Sequence, residues 1–185
     1  MKVKVLSIIF IVFYSQSALY ASQDKASPRE LYYRITHALM FILENGESAF
    51  KVMSTKSKDN PFIWKDTYIF VADCEKHYAL AHPNLKLIGD TRIWSLRDPH
   101  GKLIVPSLCK IAKSYKNGGW LEYYWPKIQS PDAETTGSTL GSESVARKIS
   151  FAMMVPGTPY MVGGGIYSDD ITIKWLNTRV RLWVY

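Results

Sequence analysis

Residues 67–83 read TYIFVADCEKHYALAHP, and their pattern predicts two neighbouring β-strands. Its first part, Thr67 to Asp73, is rich in aromatic and β-branched residues, which favour a buried β-strand. Cys74-Glu75-Lys76 can turn the chain, and His77 to His82 then form a second strand that Pro83 stops. Two strands joined by so short a turn predict the start of an antiparallel meander.

Downstream of this stretch the meander continues, with one helix inside it. Residues 84–101 are a loop region with turns at Gly89 and at Asp98-Pro99-His100-Gly101, and Leu103 to Tyr115 predict a helix. Later segments are strands at Trp120 to Trp125, Arg147 to Val155 and Tyr160 to Tyr167, with a polar, glycine-containing loop at residues 130–144. Residues 171–185 are ambiguous between a last strand and a short tail helix.

Upstream of the stretch the sequence predicts two helices. Ser27-Pro28-Arg29-Glu30 has the form of a capping box with Ser27 as the N-cap, and apolar residues then recur at helical spacing to about Asn45, where Gly46 stops the helix. A second short helix is predicted over Ser48 to Met53. Helices followed by an antiparallel sheet indicate an α+β architecture.

The first 21 residues have the features of a signal peptide. Lys2 and Lys4 form a basic region, an apolar run of about ten residues follows, and cleavage is expected after Ala21. The run is shorter than the ~20 residues that span a bilayer, and no later segment is long and apolar enough to do so. Cleavage leaves one domain over residues 22–185; the alternative is an uncleaved N-terminal anchor. We expect a periplasmic or secreted protein.

Composition predicts a packed domain and argues against nucleic-acid binding. Hydrophobic residues make up 47% and aromatic residues 14% of the chain, enough for a core and for the wall of a pocket. Loss of residues 1–21 lowers the formal charge from +7 to +5. The remaining lysines are scattered and lack the arginine- and glycine-rich context of a nucleic-acid platform, so we interpret them as a solvated face.

Cys74 and Cys109 are the two cysteines of the chain. In an oxidising compartment they could form one disulfide, but sequence alone cannot place their Cα atoms within the ~4.4–6.8 Å that the bond requires. The sequence therefore leaves their pairing open. No CxxC or Cys/His spacing indicates a metal site, and we expect neither a metal nor another cofactor.

Beyond the opening stretch, four segments follow in order: LIGD (87–90), LRDPHGK (96–102), GGWLEYYWPK (118–127) and RKISFAMMVPGTPYMVGGGIY (147–167). Together the segments resemble the single Cache domain, the extracytoplasmic relative of the PAS fold, over about residues 28–170. The landmarks that carry the resemblance are His82-Pro83, Asp98 to Gly101, Gly119 to Pro126, Lys148 to Phe151 and Pro156 to Tyr167. The resemblance implies a PAS-like antiparallel sheet of five or six strands, a long N-terminal helix and a covering helix.

The chain also departs from the family pattern. His100 stands where Asp is usual, Phe151 where Tyr is common, and Tyr160 where Trp is common. Family members usually precede a transmembrane helix and a chemotaxis, kinase or cyclase output, whereas this sequence ends at Tyr185 with neither. A separate membrane receptor or transporter is therefore the expected partner, and the resemblance also allows a helix-mediated dimer.

The resemblance implies a cup between the sheet and its covering helices, which holds a small ligand such as a short organic acid. Strand alternation places Tyr123 and Trp125 on one face, and both match family positions. Lys148 matches the family's lysine and would favour a carboxylate, because burying its charge unpaired is costly. Ser150 lies on the same face. The alternatives are core packing for the two aromatic residues and a surface position for the lysine.

Four more residues complete the candidate ligand-binding set. Tyr68 and Phe70 share one face of the first strand and form either the pocket wall or part of the core. His82 either bonds the ligand or caps the loop, and Trp94 is a candidate lid residue. The run Gly163 to Gly165 opens no helix, so we interpret it as a place of close backbone approach in the sheet.

We therefore expect an exported small-molecule binding domain that acts in signal transduction or uptake and is not an enzyme. The alternative is a ligand-free protein-interaction module of the cell envelope. A hydrolase is disfavoured because G-x-S-x-G and H-E-x-x-H motifs are lacking and the histidines are scattered along the chain.

Overall fold

The computed structural model describes residues 25–57, 59–127 and 145–183, without the side chains of Arg181 and Leu182. The predicted signal peptide and the predicted loop at residues 130–144 lie outside the described residues. Within them the chain forms four α-helices and a six-stranded antiparallel sheet, the α+β arrangement that the sequence predicts.

The first helix, α1 (Pro28–Asn45), begins and ends where the sequence predicts. The Ser27 hydroxyl accepts a hydrogen bond from the Glu30 backbone N–H at 3.1 Å and so satisfies one free amide of the first turn. Gly46 follows the helix with a φ of 57°, a conformation that glycine adopts without strain. The second helix, α2 (Ser48–Ser54), is one residue longer than predicted.

The strands pair in the order β1-β2-β6-β5-β4, and β3 also pairs with β2. Their bounds are β1 Ile63–Trp64, β2 Thr67–Asp73, β3 Tyr78–Ala81, β4 Gly119–Pro126, β5 Val145–Met154 and β6 Tyr160–Tyr167. The register sets Lys148 between Tyr123 and Tyr167, and Ser150 opposite Gly165. Sequence analysis missed only the two-residue β1, which is too short to show alternation.

The two faces of the sheet have different covers. On one face Leu31 and Ile35 of α1 are fully buried in a cluster with Phe151 of β5. On the other face the third helix, α3 (Val105–Ser114), packs its Leu108 into a second cluster. Two short 3₁₀ segments, Leu85–Leu87 and Thr91–Ser95, extend the cover on this second face.

The last helix, α4, spans Ile173–Trp183. Of the two structures that the sequence allows for this segment, a strand or a tail helix, the protein therefore forms the helix. Leu176 is fully buried in the first cluster, and the Trp183 ring lies 5.8 Å from the Tyr32 ring of α1. Packing on α1, which local sequence pattern cannot report, therefore selects the helix.

A disulfide joins Cys74, just after β2, to Cys109 of α3. The two Cα atoms are 5.9 Å apart, within the range that the bond requires. The bond closes the pairing question that the sequence leaves open, and it fastens α3 to the sheet.

Removal of this disulfide is expected to destabilise the domain. The bond links residues 35 positions apart and limits the freedom of the unfolded chain, so the Cys74→Ala/Cys109→Ala variant should lose about 2–4 kcal/mol of unfolding free energy. Urea denaturation followed by tryptophan fluorescence measures the loss. The reduced wild type should behave as the double variant does; equal stability of the oxidised wild type and the double variant would contradict the prediction.

Candidate functional site

A small cavity lies between the sheet and its cover on the α3 side. Its volume is about 50 Å³, several times the ~10–15 Å³ that one water molecule needs. The sheet supplies an aromatic wall, and the cover supplies aliphatic side chains, among them Leu87, Ile93, Leu96 and Leu108. The space therefore suits a molecule of a few heavy atoms with an apolar part.

Five of the residues predicted for the site line this cavity: Tyr68, Phe70, His82, Tyr123 and Trp125. Alternation along β2 and β4 turns the four aromatic side chains to the same face of the sheet. The ring centroids of Tyr68 and Phe70 are 6.2 Å apart, and those of Tyr123 and Trp125 are 6.4 Å apart. Their packing makes a continuous wall that also carries polar tips.

Lys148 is fully buried at the edge of this wall. Its Nζ lies 4.0 Å from the centroid of the Tyr68 ring and 5.1 Å from that of Tyr167. Among the described residues the amine has no hydrogen-bond partner. Lys148 does not itself line the cavity, but Tyr68 contacts both, so the amine lies within one ring of the empty space.

Burial disfavours the charged form of this amine. It lowers the pKa of Lys148 to about 7, and the negative charge of Asp66 opposes the effect only in part. The electrons of the two neighbouring rings attract an ammonium group but do not replace the hydration that it loses. Near neutral pH the amine is therefore poised between its neutral and charged forms.

Ser150 lies beside Lys148, on the same face of β5. Its hydroxyl is 2.8 Å from the Tyr123 hydroxyl, and both residues are buried. Burial raises the pKa of Tyr68, Tyr123 and Tyr167 far above the ordinary tyrosine value, so their hydroxyls stay protonated and can donate hydrogen bonds.

His82 has the loop-capping role that the sequence offers as one alternative, and it also lines the cavity. Its Nδ1 accepts a hydrogen bond from the Asn84 backbone N–H at 2.9 Å, which orders the loop after β3, and its ring also lines the cavity. Burial lowers the pKa of His82 to about 3, with a further contribution from the positive charge of Lys148. The ring is thus neutral and holds its proton on Nε2, where it can donate.

Trp94, the candidate lid residue, does not line the cavity. Its ring stacks on His77 with a centroid distance of 3.8 Å, and it packs at the edge of the second cluster. This stacking therefore fastens the 3₁₀ segment Thr91–Ser95, which contains Trp94, to the turn between β2 and β3.

The glycine run of β6 leaves space for neighbouring side chains on both faces of the sheet. An added Cβ at Gly165 would lie 2.2 Å from the Ser150 hydroxyl oxygen and 2.7 Å from Cε of Lys148. One at Gly164 would meet Leu31 of α1 on the opposite face, at 2.8 Å. Gly165 therefore makes room for the lysine and Gly164 for the helix, a more specific role than the backbone approach that the sequence indicates.

Sequence analysis missed the aliphatic cover and Tyr167. The cover residues Leu87, Ile93 and Leu96 lie in the loop region at 84–101, whose 3₁₀ turns have no regular alternation. Tyr167 faces Lys148 and its hydroxyl donates to the Pro126 carbonyl at 2.7 Å. Alternation along β6 from Gly165 is the signal that could have found it.

Two features are absent from the residues that the structure describes. There is no group of three or more His, Cys, Asp or Glu side chains placed to hold a metal ion in this part of the chain. No helix there has both the length and the apolar character that crossing a bilayer requires.

A family model for the Cache domain matches residues 58–172, well over half of the chain. Among curated proteins, the sensor histidine kinase MctS of Rhizobium johnstonii (strain DSM 114642 / LMG 32736 / 3841) is 30% identical over 107 residues. The match covers 58% of this chain and 20% of the kinase, so it spans about a fifth of that relative's length.

Three solved structures share the fold. A methyl-accepting chemotaxis protein from Vibrio parahaemolyticus RIMD 2210633 is 19% identical with a TM-score of 0.56, over 87% of this chain and 98% of that one. A Cache chemosensory domain studied for carboxylic acid recognition is 19% identical, with a TM-score of 0.53 over 83% and 98% of the two chains. The periplasmic sensor domain of a chemotaxis protein is 20% identical, with a TM-score of 0.51 over 90% and 100%.

Replacement of Lys148 by methionine is expected to stabilise the ligand-free protein near neutral pH. Between pH 7 and pH 10.5 the native amine is neutral while the unfolded chain binds a proton, so wild-type stability rises with pH across this window. Methionine keeps the apolar stem, so Lys148→Met should gain about 1–4 kcal/mol at pH 7, and the gain should shrink toward pH 10.5. Urea denaturation across this range measures it. The exposed Lys51→Met is the control, and a gain that does not vary with pH would refute the prediction.

Substitution of Gly165 by alanine is expected to overpack the lysine side of β6. Gly165→Ala should cost about 1–3 kcal/mol of unfolding free energy. Because the added methyl group meets the Ser150 hydroxyl most closely, Ser150→Ala should recover part of the loss. Gly164→Ala is the matched control on the opposite face, and Ser150→Ala should not rescue it. Equal effects of Ser150→Ala in both backgrounds would show that the contact is unimportant.

Proposed function

The chain belongs to the Cache domain family, and from this premise we propose that it is an extracytoplasmic sensor domain that binds a small carboxylate in the cup between its sheet and α3. The proposal concerns binding rather than turnover. It is supported by the similarity to sensor and chemotaxis proteins, one of them studied for carboxylic acid recognition.

The observation that carries the proposal is the unpartnered amine of Lys148. A buried ammonium group needs a counter-charge, and the described residues give it none within hydrogen-bonding distance. A ligand carboxylate supplies one. Tyr68 lines the cavity and its ring lies 4.0 Å from the amine, so we propose that a rotation of this side chain opens the cavity toward Lys148.

Neighbouring donors complete the carboxylate site. The two oxygens of a carboxylate accept up to about four hydrogen bonds. The Ser150 and Tyr123 hydroxyls, which bond each other, and the Nε2–H of His82 are three of the donors on this face. A charged amine with neutral hydroxyl and imidazole donors binds one carboxylate without bringing in excess positive charge.

The rest of the cup selects the other end of the ligand. Its cover is aliphatic, and its volume of about 50 Å³ leaves no room for a large polar group. A second carboxylate there would lose its hydration without a partner. We therefore propose a monocarboxylate with a tail of one to three carbons.

The cellular setting that we propose follows from the sequence and from the relatives. Residues 1–21 serve as a signal peptide, and the domain over residues 22–185 works in the periplasm or outside the cell. There it acts with a membrane receptor or transporter in signal transduction or uptake. The similarity to part of a sensor histidine kinase and to a periplasmic chemotaxis sensor domain supports this setting.

Calorimetry with a set of small acids tests the proposed function. Acetate, propionate, butyrate, pyruvate and succinate are titrated into protein that has been unfolded and refolded to remove any bound molecule. The monocarboxylates should bind and succinate should not. Loss of one charge-assisted contact costs about 1.5–3 kcal/mol, so Lys148→Met should weaken binding at least ~10-fold, whereas exposed Lys51→Met should leave it unchanged. Absence of binding by every acid, or equal binding by Lys148→Met, would overturn the proposal.

A further inference from the structure

Uncharged groups surround the Lys148 amine from every strand packed against it. Tyr68 of β2, Tyr123 of β4 and Tyr167 of β6 are held protonated by burial, and His82 after β3 is held neutral. None of these four side chains can neutralise a positive charge. The empty cup is therefore a poor place for an ammonium ion.

The acidic group that acts on the amine is not one of these four residues. Asp66, in the turn between β1 and β2, lowers the cost of charging the amine, but it forms neither a hydrogen bond nor an ion pair with it. One oxygen of its carboxylate already accepts a hydrogen bond from the Ala26 backbone N–H at 2.9 Å. The amine consequently loses its proton more readily than an exposed lysine does, with a pKa of about 7.

We infer that binding of a carboxylate at Lys148 takes up one proton from solution, so that the domain holds its ligand less tightly as the pH rises. The inference rests on the proposed function and adds a regulation to it. In the empty cup the amine is neutral above pH 7; in the filled cup the carboxylate sits beside it and stabilises the ammonium form. The proton that completes this pair comes from the solvent.

Linkage fixes the size of the effect. Where the empty site has lost its proton and the filled site has gained one, the dissociation constant rises about tenfold for each pH unit. The dependence should begin near pH 7 and should be absent for a neutral ligand of the same shape. This linkage makes the affinity of the domain for its ligand depend on the pH of its compartment.

Proton counting by calorimetry tests the inference directly. Propionate is titrated into the wild type at pH 6.0, in phosphate and in bis-Tris, and at pH 8.5, in Tris and in Bicine; the two buffers of each pair differ in ionisation enthalpy. The dependence of the binding enthalpy on the buffer gives the number of protons taken up. We expect close to none at pH 6.0 and close to one at pH 8.5, with binding at least tenfold weaker at the higher pH. No uptake at either pH, with unchanged affinity, would overturn the inference.

Two variants and one ligand separate this linkage from other effects. Tyr123→Phe removes a neutral donor and should weaken binding while keeping the uptake of one proton. The exposed Lys51→Met should change neither quantity. Propionamide has the shape of propionate without its charge, so any binding it shows should take up no proton. Uptake of a proton with propionamide would assign the effect to a group other than Lys148.

A measurement on the empty protein distinguishes failure of the inference from failure of the proposed function. The ¹³Cε resonance of Lys148, assigned by comparison with Lys148→Met, should titrate near pH 7 without ligand and above pH 9 with saturating propionate. Titration near 10.5 in the empty protein would overturn the inference even if propionate binds. Titration near 7 with no binding by any acid at any pH would instead overturn the proposed function, and the inference with it.

Discussion

A buried primary amine without a counter-charge is the constraint on which the rest of the site depends. Lys148 is fully enclosed, and the rings of Tyr68 and Tyr167 are its nearest neighbours. Placing a charge in such surroundings costs several kcal/mol, far more than the attraction of two aromatic faces returns. The fold tolerates this because the amine can give up its proton. Above pH 7 the site is therefore largely uncharged, and in the function that we propose it accepts an anion, which neither a surface lysine nor an apolar residue would provide.

The alternation of side chains along β5 creates this arrangement. Along β5, Lys148 and Ser150 point to the α3 side while Ile149 and Phe151 point to α1, so a lysine can be buried without disturbing the helix. Next to it, Gly165 supplies the space for the lysine stem. The Cys74–Cys109 bond then holds α3 over the same face. A shift of one residue in the β5–β6 register would exchange the two faces and turn the amine into the apolar cluster under α1.

Most of the fold and the aromatic wall of the cavity could be predicted from the sequence, for identifiable reasons. The helix at Pro28–Asn45 carries its own cap and stop, and strands such as β2 and β6 are long enough to show their composition. Alternation likewise put Tyr123 and Trp125 on one face. What the sequence missed or left open depends on contacts distant in sequence: the aliphatic cover comes from irregular turns, α4 is fixed by packing on α1, and Trp94 stacks on His77 instead of lining the cavity. Periodicity carries no information on such contacts.

A sensor must differ energetically between its empty and filled states, because a ligand shifts an equilibrium only by its difference in affinity for the two. In the function that we propose, the Lys148 site supplies that difference through the electrostatics of the sheet. The empty cup bears the penalty of an amine that cannot be charged comfortably, and the filled cup removes it, so ligand binding and stability of the binding strands are coupled. Replacement of the lysine by an apolar residue would stabilise the empty state and abolish the difference. If Lys148 holds the ligand as we propose, maximal stability and sensing cannot coincide at this position, because sensing then needs the unpaired amine in the core.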